Sequence, residues 1–305
     1  MKSTARLKDR FCSVLIFVSG AFFCSCGLDV VLSVEEPTTK YNTTYYNTDD
    51  GGNWFIDFET KETGANQSIE GGKFLGTEVY YKIYNNYSNL VSHNSAINSV
   101  NTTSNGTAAA TKLTDTYSYK KLLLKARTAN GIVQSNYSVF VPSENSNRKV
   151  YFRPKTYTGS DSIVLRAAAA IPHGYSESDG GEIYNYLAYT PTKRVVKYKY
   201  VPTTAAWTDP NGNSVDYADI IFYEPFRNVS EDRSFDFFDD ADTDADENVE
   251  PESGDEDFWY SATSSAEDTY YVQFYAVGVA MDSQSCTNVY SLVLDLGSMP
   301  IKKGY

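Results

Sequence analysis

The stretch TEVYYKIY, Thr77 to Tyr84, alternates with a period of two. Val79, Tyr81 and Ile83 fall on one side of an extended chain, and Tyr80, Lys82 and Tyr84 on the other. This alternation constrains the fold more than any other feature, because it recurs along the chain. In NWFIDFET, Trp54, Ile56 and Phe58 share a face opposite Phe55, Asp57 and Glu59; in RVVKYKY, Val196, Tyr198 and Tyr200 oppose Val195, Lys197 and Lys199. KVYFRP, SIVLRA, ADIIFYE, TYYVQFYAVGVAM and NVYSLVLDL read as further strands, with DDGGN, SESDGGE and TDPNGNS between them as turns. The Asn211-Gly212 pair is a tight-turn signal, since both residues tolerate positive φ. Tyrosine, at 26 residues, is over-used, and its flat half-polar ring suits a pleated, half-buried surface.

Helical periodicity is scarce. SNLVSHNSAINSVN places Leu90, Ile97 and Val100 near a helical spacing, and DTYSYKKLLLKARTANG reads as a second helix, capped by Asp115 and ended by Asn130-Gly131. Residues 101–110, rich in Asn, Ser, Thr, Gly and Ala, read as a loop.

Many short strands with polar turns predict an all-β fold, a β-sandwich with long insertions and at most one or two short helices. Two stretches carry a more specific likeness. WFIDFET followed by TEVYYKIYNN resembles the second and third strands of fibronectin-type-III and immunoglobulin-like sandwiches, and YYVQFYAVGVAMDSQSCTNVYSLVLDLG resembles their final hairpin. The resemblance implies one elaborated sandwich body over residues 41–300, since no second final hairpin stands between the halves; the alternative is a split near residue 190. Such folds carry no function by themselves.

The N-terminus points to an address. MKSTARLKDR is basic, and FCSVLIFVSGAFF, Phe11 to Phe23, is apolar but shorter than the roughly 20 residues a transmembrane helix needs. It ends in FCSC, Phe23 to Cys26, which resembles a relaxed bacterial lipobox of the kind found in spirochaetal envelope lipoproteins. That resemblance implies a signal peptide over residues 1–25, an acylated Cys26 and an anchor and short tether over residues 26–40. Small Ser25 precedes Cys26 and bulky Phe23 precedes Cys24, so Cys26 is the expected lipid carrier and Cys24 the alternative. Two or more acyl chains anchor stably at about 0.8 kcal/mol per buried CH₂. Of the four cysteines, Cys12, Cys24, Cys26 and Cys286, the last alone lies in the body, so no internal disulfide is expected and Cys286 reads as a small buried apolar group.

The net charge of −13 is local. Residues 231–257 hold 14 acidic residues against one Arg, so the segment reads as an acidic, disordered insertion between two strands, held at its ends by Phe235, Phe237, Phe238, Phe258 and Trp259. No basic patch speaks for nucleic acid. Asp240, Asp242, Asp244 and Asp246 alternate as calcium ligands do, but an EF-hand beginning at Asp240 needs Gly and Glu where Ala245 and Pro251 stand. The two histidines, His93 and His173, make no zinc motif. GYSES around Ser176 lacks the final Gly of a nucleophile elbow. Glu78, Glu182 and Glu224 are open candidates for a carboxylate pair. Seven N-x-S/T sequons, at Asn42, Asn66, Asn86, Asn101, Asn105, Asn136 and Asn228, follow from composition. No cofactor is implied. The sequence reads as a lipid-anchored protein of a bacterial cell envelope, with a non-catalytic binding or structural role and a protein or glycan partner. The alternatives are an envelope hydrolase acting on glycans and a calcium-dependent adhesion module.

Overall fold

A computed structural model describes residues 32–39, 56–103, 106–128, 131–134, 140–155, 157–158, 164–165, 168–170, 183–187, 196–201, 206–208, 212–216, 222–230, 233–237, 250–262 and 269–302. Their strands are, in order, β1 (Ile56–Glu59), β2 (Gly72–Tyr84), β3 (Lys120–Lys121), β4 (Leu123–Thr128), β5 (Gly131–Gln134), β6 (Val141–Pro142), β7 (Lys149–Arg153), β8 (Tyr157–Thr158) and β9 (Val164–Leu165). There follow β10 (Ala168–Ala170), β11 (Ile183–Leu187), β12 (Val196–Val201), β13 (Ala206–Thr208), β14 (Ser214–Val215), β15 (Phe222–Phe226), β16 (Phe258–Trp259), β17 (Thr269–Asp282) and β18 (Asn288–Lys302). Two short helices, α1 (Tyr87–Asn98) and α2 (Gly106–Thr111), precede β3, and α2 runs on into a π turn, Lys112–Thr116. The protein is mostly β, as its alternation requires.

Two sheets make the sandwich. One orders its strands β1-β7-β10-β15-β4-β5, and the other β16-β2-β17-β18, with β3 and β6 also on β2. Their facing sides share one core: Ile56, Phe58, Val150, Phe152 and Leu124 from the first sheet meet Val79, Tyr81, Ile83, Val272, Phe274 and Ala276 from the second. Phe152 and Phe274 meet edge to face at 5.5 Å. β2 and β17 are apolar on their other face too. Tyr80, Tyr84, Tyr275 and Val277 pack beneath Leu90 and Ile97 of α1, Ala109 and Ala110 of α2, and Leu113. The second sheet is thus a middle layer, covered by a sheet on one side and by helices on the other, and Tyr80, Tyr81, Tyr84 and Tyr275 are core residues.

Two local expectations give way. Residues 120–128, expected as helix, are strands β3 and β4: Leu122 and Leu124 enter the inter-sheet core at a spacing of two, which decides an ambiguous leucine run. Residues 106–110, expected as part of a loop, belong to α2. A Cβ on Gly106 would stand 3.4 Å from the Tyr290 carbonyl of β18, and Ala109 and Ala110 are buried, so small residues let this helix lie against the sheet. β13 and β14 pair with Trp207 opposite Val215, and Gly212 stands at φ +83°; Asn211 of the expected turn lies outside the described residues.

Residues 33–305 form one compact unit. Within it, residues 33–38 of the expected tether lie against the body. Val34 packs with Phe74 and Ala280, and Asn66 clamps Glu35, its Oδ1 accepting from the Glu35 N–H at 2.8 Å and its Nδ2 donating to the Glu35 carbonyl at 2.9 Å. Gly278 permits the approach, because a Cβ there would stand 2.9 Å from the Glu35 carbonyl oxygen.

A candidate aromatic binding surface

At one end of the middle sheet β16, β2 and β17 bring Trp259, Tyr84 and Tyr271 into one row, since Trp259 pairs with Tyr84 and Tyr84 with Tyr271. The row lies on the helical side. Above it α1 begins at Tyr87, its first turn capped by Asn86, whose Oδ1 accepts from the N–H groups of Ser88 and Asn89. The helix buries Leu90, His93 and Ile97, a spacing that leaves Tyr87 and Val91 outward. His93 is the hub. Its ring stacks on Tyr117 at 4.1 Å, meets Trp259 edge-on at 4.5 Å, and holds Nδ1 3.1 Å from the Tyr84 hydroxyl, which itself donates to Tyr119 at 3.0 Å. Burial, with Lys82 nearby as the lesser cause, lowers the His93 pKa and keeps the ring neutral.

Tyr87, Val91, Trp259 and Tyr260 are the exposed large hydrophobic residues among those described, and all belong to α1 or to β16 and the residue after it. The exposed side of α1 carries no charge: Tyr87, Ser88, Val91, Ser92, Ser95 and Asn98 make it up. The patch is rigid. Tyr87 packs against Tyr271 at 5.1 Å, and Tyr275 donates to Asn94 Oδ1 at 2.6 Å. Asn94 Nδ2 donates in turn to Asp295 on β18 at 2.9 Å. Beside the row, Asn85 exchanges two hydrogen bonds with the backbone of Ser261, at 2.9 and 2.8 Å. Lys82 ties the β16 approach to β2, donating to the carbonyls of Glu256 at 2.8 Å and Ser118 at 3.2 Å; burial lowers its pKa to about 8.

A buried ion pair holds β16 in place from the other side of the sheet. Arg227 grips Asp257 with two parallel bonds, Nε to Oδ2 at 2.9 Å and Nη2 to Oδ1 at 2.8 Å, and Nη2 also reaches Asp255 at 2.6 Å. Tyr81 donates its hydroxyl proton to Asp257 Oδ2 at 2.6 Å. Arg227 and Asp257 are fully buried. Of the acidic segment, the described ends lie on the body: Phe235, Phe237 and Asp257 are buried, and Glu250 accepts from the Tyr270 hydroxyl.

The remaining candidates scatter. Cys24, Cys26, His173, Ser176, Glu182, Asp240, Asp242, Asp244, Asp246 and Phe238 lie outside the described residues. Glu78 is buried on the helical face of β2, accepting from Tyr80 and pairing with Lys121. Leu124 points into the inter-sheet core, so Lys125 and its ladder partner Glu224 face the far side of the first sheet. Glu78 and Glu224 thus look away from each other across the sandwich and form no catalytic pair. Among the described residues no three His, Cys, Asp or Glu side chains gather to hold a metal. Cys286, expected buried, is exposed in the turn between β17 and β18 at φ +55°, where chain reversal rather than packing sets its place. Of the sequon asparagines, Asn66, Asn86 and Asn101 spend their side chains on the Glu35 clamp, the α1 cap and both backbone groups of Val293.

Sequence reasoning treated the aromatic residues one strand at a time and left His93 without a role. The signal that points to this site is the uncharged stretch Tyr87–Asn98 followed, far along the chain, by FWY at residues 258–260. Comparison with family models, with curated proteins and with solved structures finds no match.

Proposed function

We propose that this chain is a lipid-anchored protein of a bacterial cell envelope, held by acyl chains on Cys26, and that it binds a protein partner through its aromatic end. The observation that carries the binding role is the patch of Tyr87, Val91, Trp259 and Tyr260 beside an uncharged helix face. Trp and Tyr are enriched, and charge is depleted, at the centre of protein interfaces. A surface held by α1, β2 and β16 binds without the cost of ordering loops. The anchor rests on the FCSC stretch and the apolar run before it. Among the described residues no helix is long and apolar enough to cross a membrane.

On this reading the body is an elaborated fibronectin-type-III or immunoglobulin-like sandwich. Its support is the order β2-β17-β18, which matches the C-F-G order of such folds, and the crossing from β1 in one sheet to β2 in the other. In-cell photocrosslinking tests the binding role, with a photoreactive residue at Tyr260 and a control at Lys73, which is exposed at the far end of β2. A discrete protein adduct at 260 that is absent at 73 and lost on Trp259→Ala is expected. Equal adducts at both positions, or none at 260, would remove the protein-binding role. Retention of the Cys26→Ala variant in the membrane fraction would remove the anchor.

A further inference from the structure

We propose that the connection from α1 to α2 is an edge guard: Asn101 and Gly106 occupy the open side of β18 and keep it from pairing with the same strand of a second copy of this chain. β18 ends the order β16-β2-β17-β18, and among the described residues no strand pairs with it on the side away from β17. In an antiparallel ladder the N–H and C=O of one residue face the same side, so a last strand turns the backbone groups of every second residue outward. Such a row is a template for another chain. The sequence divides this edge in two. The later part carries its own deterrents: the register shifts between Asp295 and Gly297, Pro300 has no N–H to offer, and Lys302 is charged and exposed. The earlier part, VYSLVL from Val289 to Leu294, carries none. It is six residues without charge or proline, the kind of segment that pairs most readily between chains.

The guard lies on this earlier part. Asn101 Nδ2 donates to the Val293 carbonyl at 2.9 Å, and its Oδ1 accepts from the Val293 N–H at 2.9 Å. These are the two bonds that a neighbouring strand would make, so one side-chain amide stands in for a strand. Gly106 covers the residues just before: a Cβ there would come within 3.4 Å of the Tyr290 carbonyl oxygen and 3.6 Å of the Leu292 nitrogen. Asn101 is itself held. Its N–H bonds to the Asn98 carbonyl at 3.2 Å, the Val100 N–H bonds to the Ile97 carbonyl at 3.1 Å, and Val100 packs on the tyrosine cluster beneath α1. The occupant excluded is a second copy, because two copies bring identical edges and a strand paired antiparallel with itself closes as a two-fold dimer.

The full chain, held in detergent, is sedimented at rising concentration as wild type, as Asn101→Ala and as Asn101→Ala with Leu292→Lys. Circular dichroism is recorded on each. Asn101→Ala is expected to keep the wild-type spectrum and to gain mass toward twice the wild-type value as concentration rises. Leu292 is only half-buried and lies in the unguarded stretch, so a lysine there sets like charges against each other across a paired edge. Adding Leu292→Lys is therefore expected to restore the wild-type mass. An Asn101→Ala protein with the wild-type spectrum and the wild-type mass at every concentration overturns the proposal. So does association that Leu292→Lys leaves unchanged, since another surface then joins the copies. If Asn101→Ala loses its spectrum, Asn101→Asp is read in its place: it keeps the bond from the Val293 N–H, sets a carboxylate against the Val293 carbonyl, and is held to the same outcomes. Loss of the spectrum in both overturns the guard, since Asn101 then holds the fold and not the edge.

Discussion

Asp257 shows how much one side chain decides. It accepts from Arg227 through two bonds and from Tyr81 through a third, all out of water, and it directly precedes the strand that carries Trp259. The pair is not itself a large source of stability, since taking both charges out of water costs about what their attraction returns. Breaking it is another matter. Asp257→Ala leaves a buried guanidinium with Asp255 as its remaining carboxylate, and leaves the Tyr81 hydroxyl without its acceptor. The expected loss is about 3–5 kcal/mol in denaturant unfolding. Asp255→Ala removes a partner that is still part-exposed and is expected to lose less. Equal losses would show that Asp257 is not the centre of the network.

At the scale of elements, α1 is the part most dependent on its neighbours. Twelve residues are marginal as an isolated helix, and YSNLVSHNSAIN is rich in Ser and Asn, which compete with the backbone for hydrogen bonds. Three features make it form: the Asn86 cap, the packing of Leu90, His93 and Ile97 on the tyrosine face of the sheet, and the bridge from Asn94 to Tyr275 and Asp295. Asn86→Ala is expected to cost about 1 kcal/mol in global stability. It should also loosen the first turn, which holds Tyr87 against Tyr271, and with it the helix whose His93 meets Trp259. In a form that keeps Trp259 as its one tryptophan, with Trp54 and Trp207 replaced by Phe, emission is then expected to shift to the red, and an unchanged spectrum would mean that the aromatic end is held without the cap. The β17–β18 hairpin needs no such help: it was legible as a final hairpin because its two long strands alternate on either side of a polar turn.

Across the whole molecule the tyrosines couple stability to pH. Burial, the largest cause in each case, raises the pKa of Tyr80, Tyr81, Tyr84, Tyr119 and Tyr275; nearby Glu78, Asp257 and Asp295 add to it. A group whose folded pKa lies above its unfolded value contributes stability that is complete below the unfolded pKa, near 10 for Tyr, and is lost as pH rises from there. With five such groups protonated in the folded state, stability is expected to fall ever more steeply above pH 10, toward a limit of about 7 kcal/mol per pH unit where the unfolded tyrosines are fully ionised. Unfolding should therefore be abrupt there, with tyrosinate absorbance and loss of circular dichroism rising together. Gradual ionisation that precedes unfolding would show that these hydroxyls are open to water.

The alternation of TEVYYKIY and its counterparts determined that the chain is mostly β, which residues share a face, and where the last hairpin lies. These are local properties, set by a side-chain period of two and by turn residues that tolerate positive φ. The same alternation was silent on how many layers would form. A tyrosine suits either a wet face or a packed one, and for Tyr80, Tyr84 and Tyr275 α1 and α2 decide the matter by covering them. Counting Asp and Glu likewise marked residues 231–257 as acidic, yet only the fold brings Arg227 and Tyr81 to Asp257, the latter from 176 residues away. The aromatic surface is of the same kind. Tyr84, Tyr87, His93, Trp259 and Tyr271 belong to three separate stretches, and pairing of β16 and β17 with β2 is what makes them neighbours. Face and period are written in nearest neighbours along the chain, whereas coverage, charge pairing and the shape of a site depend on contacts between distant segments, which only the folded chain creates.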